Sequence, residues 1–351
     1  MNNLPKDNGS KKLSRWASLP KVDLHRHLDC SIRPQTLREL LLAAGEDVPV
    51  DAAAFKARYL VTEPMKDLGS VLRKFQAAQK ALSSTAILTR VTRECIEDAA
   101  AEGIRILELR YAPTFIQDGH ENLSFEEIHL AIVAGVESCR HLPIAVGLIA
   151  IVQRIKPVAV GASVIDFAIE HRDTFVAVDL ADNEEGFEPK PFEAMFQKAR
   201  ANGLHVTIHA GEANVSSAAD NVLISIDRLG AERIGHGVQI ANPDIPRSAD
   251  VLREVVRRKI PLEVCPTSNV LTNAFPSVRE HSIVRLRDAG VLVTINTDDP
   301  GVFDFNLTHE YEALAEQLAF TEADFAACAE TAARVSFISL AQRQRVWAGL
   351  F

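Results

Sequence analysis

Residues 21–29, KVDLHRHLD, combine the two features that decide the fold of this chain. The segment begins as a short apolar run typical of a β-strand, and it ends in two histidines and an aspartate. His25 and His27 are two positions apart, so on a strand both imidazoles point to the same face and can reach one ion. The pair alone is equally compatible with two histidines on a solvated strand face.

Short, β-branched apolar runs recur along the rest of the chain. We predict eight strands in total, at residues 22–28, 104–109, 144–152, 175–180, 206–209, 234–238, 262–265 and 292–296. Segments with helical spacing lie between them, at residues 36–44, 82–101, 125–139, 192–202 and 220–229.

Strands that alternate with helices predict an α/β fold, and eight such units predict a (β/α)₈ TIM-type barrel. A barrel of this kind needs about 250 residues, so we expect an inserted helical segment after the first strand and extra C-terminal helices. Six of the eight runs end in polar residues, and a barrel gathers such residues from different strands into one active site. A doubly wound open sheet, the alternative, would need most of them at one switch point. We predict a polar tail at residues 1–18 and a single barrel domain at residues 19–351.

Composition excludes several classes of partner. The net charge of −9 disfavours nucleic-acid polymers and anionic membrane surfaces. The longest apolar run, residues 142–152, is too short to span a bilayer, and no secretory signal precedes the first strand. Five cysteines without a short-range pairing pattern indicate reduced thiols. We therefore expect a cytoplasmic protein, whose oligomeric state the sequence does not indicate.

Other strand ends supply groups that can complete a metal site. VTIHAGE places His209, and VTINTDDPG places Asp298, at the end of an apolar run. Adjacent aspartates in such a position are costly unless a cation or hydrogen bonds compensate their charge. Three imidazoles and one carboxylate predict one catalytic Zn²⁺ per chain, with other divalent transition metals as alternatives. The fourth strand, VAVDLADNEEG, offers no lysine to bridge a second metal.

Two further residues are candidates for proton transfer. Glu212 follows His209 by three positions in HAGE and is a general acid if its pKa is raised, or else a structural residue. His236, in RIGHGV, either orients the attacking water, takes its proton, or is structural. We interpret His141, His171 and His281 as residues that cap or solvate helices, and Cys265 as a buried thiol.

The joint pattern resembles the adenosine deaminase family of metal-dependent amidohydrolases. The strings KVDLHRHLD, ELRYAPT, HAGE, RIGHGV, EVCPTSN and NTDDPGVF stand in that family's order between about Pro20 and Tyr311. By this resemblance the zinc ligands are His25, His27, His209 and Asp298. It also implies that Glu212 protonates N1 of a purine, while His236 and Asp299 position and activate the water that attacks C6.

The resemblance further implies how a substrate is bound. His27 and Asp29 would lie near the ribose hydroxyls, with Asp299 also in contact with the substrate. Leu72 and Phe75 would form an apolar wall over the entrance. Asp182 departs from the family's usual Gly, whose N–H meets purine N3, and Cys30 and Ser31 replace its usual Gly and Ala.

We predict zinc-dependent hydrolytic deamination of adenosine and 2′-deoxyadenosine, with water as co-substrate and ammonia as product. One alternative is another aminopurine substrate, namely adenine or an N6-substituted or 5′-modified adenosine, which the departures at Cys30 and Asp182 leave open. The other is a purine- or metal-binding barrel without catalysis. The cysteine-ligated zinc deaminases are excluded, because the chain lacks H-x-E with P-C-x-x-C.

Overall fold

The computed structural model describes residues 14–64 and 68–351, without the side chains of residues 68–72. Eight strands form one sheet in chain order: β1 Lys21–His27, β2 Ile104–Tyr111, β3 Ala145–Gln153, β4 Phe175–Ala181, β5 His205–Ala210, β6 Arg233–His236, β7 Leu262–Val264 and β8 Val293–Ile295. Every neighbouring pair is parallel. All eight predicted strands are found, each within two residues of its predicted bounds.

The last strand returns to the first just beyond the end of β8. The N–H of Asp298 donates to the carbonyl of His25, and the N–H of His27 donates to the carbonyl of Asp298, each at 2.8 Å. The sheet therefore forms a nearly closed barrel. This confirms the predicted TIM-type fold and excludes the open sheet, because an open sheet leaves its outer strands unpaired with each other.

Helices surround the barrel. They are α1 Pro34–Ala43, α2 Ala52–Tyr59, α3 Leu68–Ala81, α4 Thr85–Ala101, α5 Pro113–Gln117, α6 Phe125–Ser138, α7 Val158–Glu170, α8 Glu193–Ala201, α9 Ala218–Ile224, α10 Ser248–Arg258, α11 Pro266–Leu271, α12 Ile283–Asp288, α13 Pro300–Phe303, α14 Leu307–Leu318, α15 Glu322–Val335 and α16 Leu340–Val346. The inserted segment after β1 consists of α1 to α4, and α14 to α16 are the C-terminal additions, so both predicted additions are confirmed.

Most of the predicted tail, residues 1–13, lies outside the described residues. In its described part, Trp16 is buried and packs edge to face on Phe325 of α15, with ring centroids 5.0 Å apart. Among the described helices, none combines the length and the apolar character needed to cross a bilayer.

Gly301 in α13 lies against the backbone of the loop that follows β1. A Cβ at this position would be 2.6 Å from both the N and the O of Ile32 and 2.7 Å from the O of Cys30. We expect Gly301→Ala to lower the free energy of unfolding by about 2–3 kcal/mol, because backbone atoms must move apart to admit a methyl group. Denaturant unfolding measures this change.

The matched control is Gly349→Ala, where a Cβ would meet no atom within 4 Å. This variant should stay within about 0.5 kcal/mol of the parent protein. Equal losses in the two variants would contradict the close approach at Gly301.

Candidate active site

The carboxyl ends of the strands surround a cavity of about 650 Å³, within the size range of small-molecule sites. The cavity is lined by most of the predicted site residues: His27, Asp29, Phe75, Asp182, His209, Glu212, His236, Asp298 and Asp299. His25 is fully buried behind this surface. Leu72 belongs to α3, but its side chain lies outside the described residues.

The four predicted metal ligands converge on one point. One candidate ligand atom from each of His25, His27, His209 and Asp298 lies within 4.8 Å of all the others. His27 Nε2 is 3.3 Å from both His209 Nε2 and Asp298 Oδ1. His25 Nε2 is buried without a hydrogen-bond partner among the described residues. An unpartnered imidazole nitrogen facing two other imidazoles and a carboxylate fits a divalent cation.

Two carboxylates orient the imidazoles from behind. His25 Nδ1 lies 2.8 Å from Glu263 Oε2, and His209 Nδ1 lies 2.9 Å from Asp179 Oδ2. A ring that donates its Nδ1–H to a carboxylate presents the lone pair of Nε2 to the opposite side. This is the arrangement typical of histidines that bind metals.

Buried arginines hold these carboxylates in turn. Arg110 donates to Asp179 and to Glu263, each at 2.7 Å, and Arg233 donates to Glu263 at 2.6 Å. Burial would raise the pKa of Glu263, but Arg110 and Arg233 hold it well below its usual range. The carboxylate therefore stays ionised and keeps accepting from His25. The sequence did not lead us to predict Arg110, Arg233 or Glu263 as parts of the site. A charged residue inside an apolar strand could have marked each of them.

Three of the four predicted ligands, His27, His209 and Asp298, have pKa values that suit a metal site. Burial lowers the pKa of His209 to about 4 and that of His27 well below its usual value, so both rings are neutral and able to bind a cation. Burial would also lower the pKa of His25, but Asp298 and Glu263 outweigh it and raise that pKa. Burial opposes ionisation of Asp298, yet the neighbouring histidines hold its pKa well below the usual range.

Glu212 lies on a loop that a second glutamate fixes from behind. The carboxylate of Glu184, which is buried, accepts the backbone N–H groups of Gly211 at 2.8 Å, Glu212 at 3.1 Å and Ala213 at 3.2 Å. The Glu212 side chain extends into the cavity and accepts from Thr272 Oγ1 at 3.1 Å. Glu184 was missed as a positioning residue, since nothing local marks which carboxylate of NEEG turns inward.

A chain of hydrogen bonds sets the orientation of His236. The N–H of Ile283 donates to Nδ1 of His281 at 3.0 Å, so a neutral His281 carries its proton on Nε2. His281 Nε2 then donates to Asn269 Oδ1 at 3.1 Å, and Asn269 Nδ2 donates to His236 Nδ1 at 3.0 Å. His236 therefore presents Nε2–H to the cavity, 3.5 Å from Glu212 Oε2.

His281 does more than the sequence predicted. It receives an N–H at the start of α12, as a capping residue does, but it is buried and not solvated. Burial lowers the pKa of His281 to about 3, so the ring stays neutral in this chain of hydrogen bonds. Cys265 is a buried free thiol, as predicted, and burial raises its pKa well above the usual value.

Two further carboxylates complete the cavity near the predicted metal ligands. Burial, with Asp298 and Asp29 nearby, raises the pKa of Asp299 well above its usual range. Asp29 Oδ2 accepts from the N–H of Ala112 at 3.1 Å, whereas Asp29 Oδ1 is buried without a partner among the described residues. Asp29 Oδ1 can therefore accept a hydrogen bond from a hydroxyl group of a ligand.

Backbone strain marks the same region. Asp182, His236 and Asp298 have φ values of +84°, +63° and +66° and all line the cavity. Residues other than glycine rarely adopt such values, and those that do cluster at functional sites.

The carboxylates in the cavity lining are Asp29, Asp182, Glu184, Glu185, Glu212, Asp298 and Asp299.

Comparison with known proteins gives consistent matches over nearly the whole chain. The family model for adenosine deaminase matches residues 20–350. An adenosine deaminase of Shewanella denitrificans is 33% identical over 334 residues, covering 94% of this chain and 98% of the relative. One from Serratia proteamaculans is 35% identical over 328 residues, covering 93% and 96%.

Solved structures with the same fold include deaminases named for different aminopurines. An adenine deaminase from Arthrobacter aurescens superposes with a TM-score of 0.83 at 27% identity, covering 94% of this chain and 98% of that one. The N6-mAMP deaminase of Arabidopsis gives 0.81 at 29% identity, covering 95% and 98%. An amidohydrolase from Burkholderia ambifaria with bound Zn gives 0.83 at 25% identity, covering 95% and 90%.

Proposed function

The chain belongs to the adenosine deaminase family and is a hydrolase acting on C–N bonds, and from this premise we propose that it deaminates a 6-aminopurine nucleoside, foremost adenosine and 2′-deoxyadenosine. Water and the nucleoside are consumed, and inosine or 2′-deoxyinosine and ammonia are released. The observation that carries the proposal is a carboxyl group, Glu212, held in the cavity beside a cluster of four side chains that could hold a metal ion.

The proposed metal ligands are His25, His27, His209 and Asp298, and zinc is the proposed metal. A divalent ion bound there would supply Lewis acidity and lower the pKa of water toward neutrality. Glu263 and Asp179 would keep the His25 and His209 rings aimed at the ion. Loss of a carboxylate that hydrogen-bonds a metal-binding histidine typically lowers metal affinity or activity by about 10- to 100-fold.

Glu212 is the proposed general acid. A proton held on its carboxyl would be donated to ring N1, which draws electrons from C6 and makes that carbon a better electrophile. Water adds its oxygen to C6 as the C6–N1 double bond opens, and one proton of the water passes by way of Asp299 to the exocyclic nitrogen. The C6–N bond then breaks to release ammonia, while the hydroxyl left on C6 becomes the carbonyl of the product and its proton returns to Glu212. Glu184 supports this role by fixing the backbone from which Glu212 extends.

His236 and Asp299 are proposed to act on the attacking water from different sides. Because His236 Nδ1 already accepts from Asn269, the ring carries its proton on Nε2 and can donate it in a hydrogen bond to the water. This favours the role of orienting the water over that of taking its proton. Asp299 is then the group left to accept the proton of the water. Fixed donors aimed at developing charge are an effective source of catalysis.

The sugar is proposed to contact Asp29 and His27. The unpartnered Asp29 Oδ1 supports this, since it is a buried acceptor that a ribose hydroxyl can satisfy. Phe75 would cover the base from the entrance, and Asp182 would contact the substrate where a glycine is common in relatives.

The test is turnover by the full chain loaded with Zn²⁺. We expect ammonia release and the loss of adenosine absorbance with adenosine and 2′-deoxyadenosine. Adenine should react more slowly, because it leaves Asp29 without a sugar hydroxyl. If no 6-aminopurine is converted, the proposal is wrong; if adenosine binds without conversion, the chain is a purine-binding barrel.

A further inference from the structure

The rim of the barrel has two chemically different halves. Glu212 and His236 lie at the ends of β5 and β6, whereas Asp29, Gln153 and Asp182 lie at the ends of β1, β3 and β4. The two edges of a purine nucleoside are also opposite each other, since N1 and C6 lie far from the N9-linked sugar. A nucleoside with N1 at Glu212 therefore directs its sugar toward the half that holds Asp29 and Asp182.

Asp182 is held in place on this half of the rim. Gln153 Nε2 donates to Asp182 Oδ2 at 2.9 Å, and Thr114 Oγ1 donates to Gln153 Oε1 at 2.7 Å. The N–H of Asn183 donates to Asp182 Oδ1 at 2.7 Å. The carboxylate is thus oriented by neutral donors only, which leave its negative charge in place.

The backbone of Asp182 also departs from the ordinary. Its φ of +84° suits glycine, and an L residue is strained there. Both Asp182 and Gln153 line the cavity. A charged side chain at a strained position, anchored by a neighbouring strand and lining the cavity, is placed to contact the ligand.

The charged side chains that line the cavity are acidic. Seven carboxylates line it, and the described lining residues include neither lysine nor arginine. Asp182 and Glu185 are exposed residues of the cavity lining. Arg154 is buried behind the wall, where it donates to the carbonyls of Leu180 and His209, and its positive charge attracts Glu184 and Asp182. One such cation leaves the seven carboxylates of the lining in excess. A metal ion would compensate only the carboxylates at the opposite end of the ligand.

We propose that Asp182 is a specificity-determining residue that restricts the site to 6-aminopurines without negative charge on the sugar side. Nucleosides and cationic 5′-substituted nucleosides are accepted, and 5′-phosphates are rejected. The inference rests on the proposed function and narrows its substrate class. It separates this chain from the N6-mAMP deaminase that shares its fold at 29% identity.

The experiment compares kcat/KM of the Zn²⁺-loaded full chain for pairs that differ only at the 5′ position. The pairs are adenosine with AMP, and N6-methyladenosine with N6-methyl-AMP, so that either leaving group is covered. We expect each nucleoside to exceed its phosphate by at least about a hundredfold. Raising the salt concentration from 0.02 to 0.5 M should narrow that gap about threefold or more, because salt screens the repulsion.

The variant Asp182→Asn removes the charge and keeps the shape, and asparagine tolerates positive φ. We expect it to raise the phosphate-to-nucleoside ratio of kcat/KM about tenfold. It should also remove any preference of the parent protein for 5′-amino-5′-deoxyadenosine, which is cationic. The matched control is Asp173→Asn, an exposed aspartate that precedes β4 at the other end of the barrel, about 30 Å away.

The outcomes separate the two proposals. Equal use of nucleosides and phosphates by the parent protein would overturn this inference and leave deamination intact. A ratio that is unchanged in Asp182→Asn, or that changes equally in Asp173→Asn, would also overturn it. No turnover of any compound would overturn the proposed function and the inference with it.

Discussion

Replacing His209 by Ala is expected to abolish stoichiometric metal binding and to lower kcat/KM for adenosine by at least about a thousandfold. His209 Nε2 lies 3.3 Å from His27 Nε2 and is held from behind by Asp179. Its loss removes one of the four proposed ligands, and the charge stabilisation by a metal ion is worth several kcal/mol. Elemental analysis of the purified variant and initial rates at saturating Zn²⁺ measure the two effects.

His205 provides a control on the same strand. It begins β5, four residues before His209, and its exposed ring pairs with Glu232 and stacks on Phe337. His205→Ala should keep one metal ion per chain and the parent activity. If the His209→Ala protein retained its full metal content, the metal would have to be bound elsewhere. Equal losses of metal in the two variants would show that the effect is not specific to His209.

Glu212→Gln is expected to lower kcat by about a hundredfold to ten thousandfold while metal content and stability stay at the parent level. Glutamine has the same shape and can still accept from Thr272 Oγ1 through its carbonyl. It cannot supply a proton to ring N1, so the loss should fall on kcat and leave KM nearly unchanged. Single-turnover kinetics with adenosine, together with elemental analysis and thermal unfolding, provide the measurements.

The control for charge alone is Glu330→Gln, an exposed position of α15. We expect its kcat to match that of the parent protein. If Glu212→Gln retained kcat within about tenfold of the parent with its metal bound, another group would have to protonate the substrate. Glu212 would then be a residue that only shapes the cavity.

The fold was predictable because its signals are local. Each strand shows as a short β-branched run, and strands that alternate with helices define parallel βα units. The polar residues that end these runs were predictable as one cluster for the same reason, since a barrel brings the carboxyl ends of its strands to one rim. This applies to His25, His27, His209 and Asp298, which the structure places within 4.8 Å of one another.

The partners of these residues were not predictable from the sequence. His25 meets Glu263 across 238 positions, and Arg110 joins Glu263 across 153. No local pattern specifies which buried carboxylate faces which ring, because that depends on the register of strands far apart in sequence. Glu184 and Asn269 were missed on the same grounds.

The sequence by itself determined the barrel, the family and the donor atoms available for a metal, since periodicity and residue type are written in short segments. Tertiary structure alone decided the orientation of those donors, the tautomer of His236 and the fixing of Asp182 by Gln153. The physical reason is that hydrogen bonds and charge interactions act over a few ångströms of space. In this barrel, residues from opposite ends of the chain lie within that distance of one another.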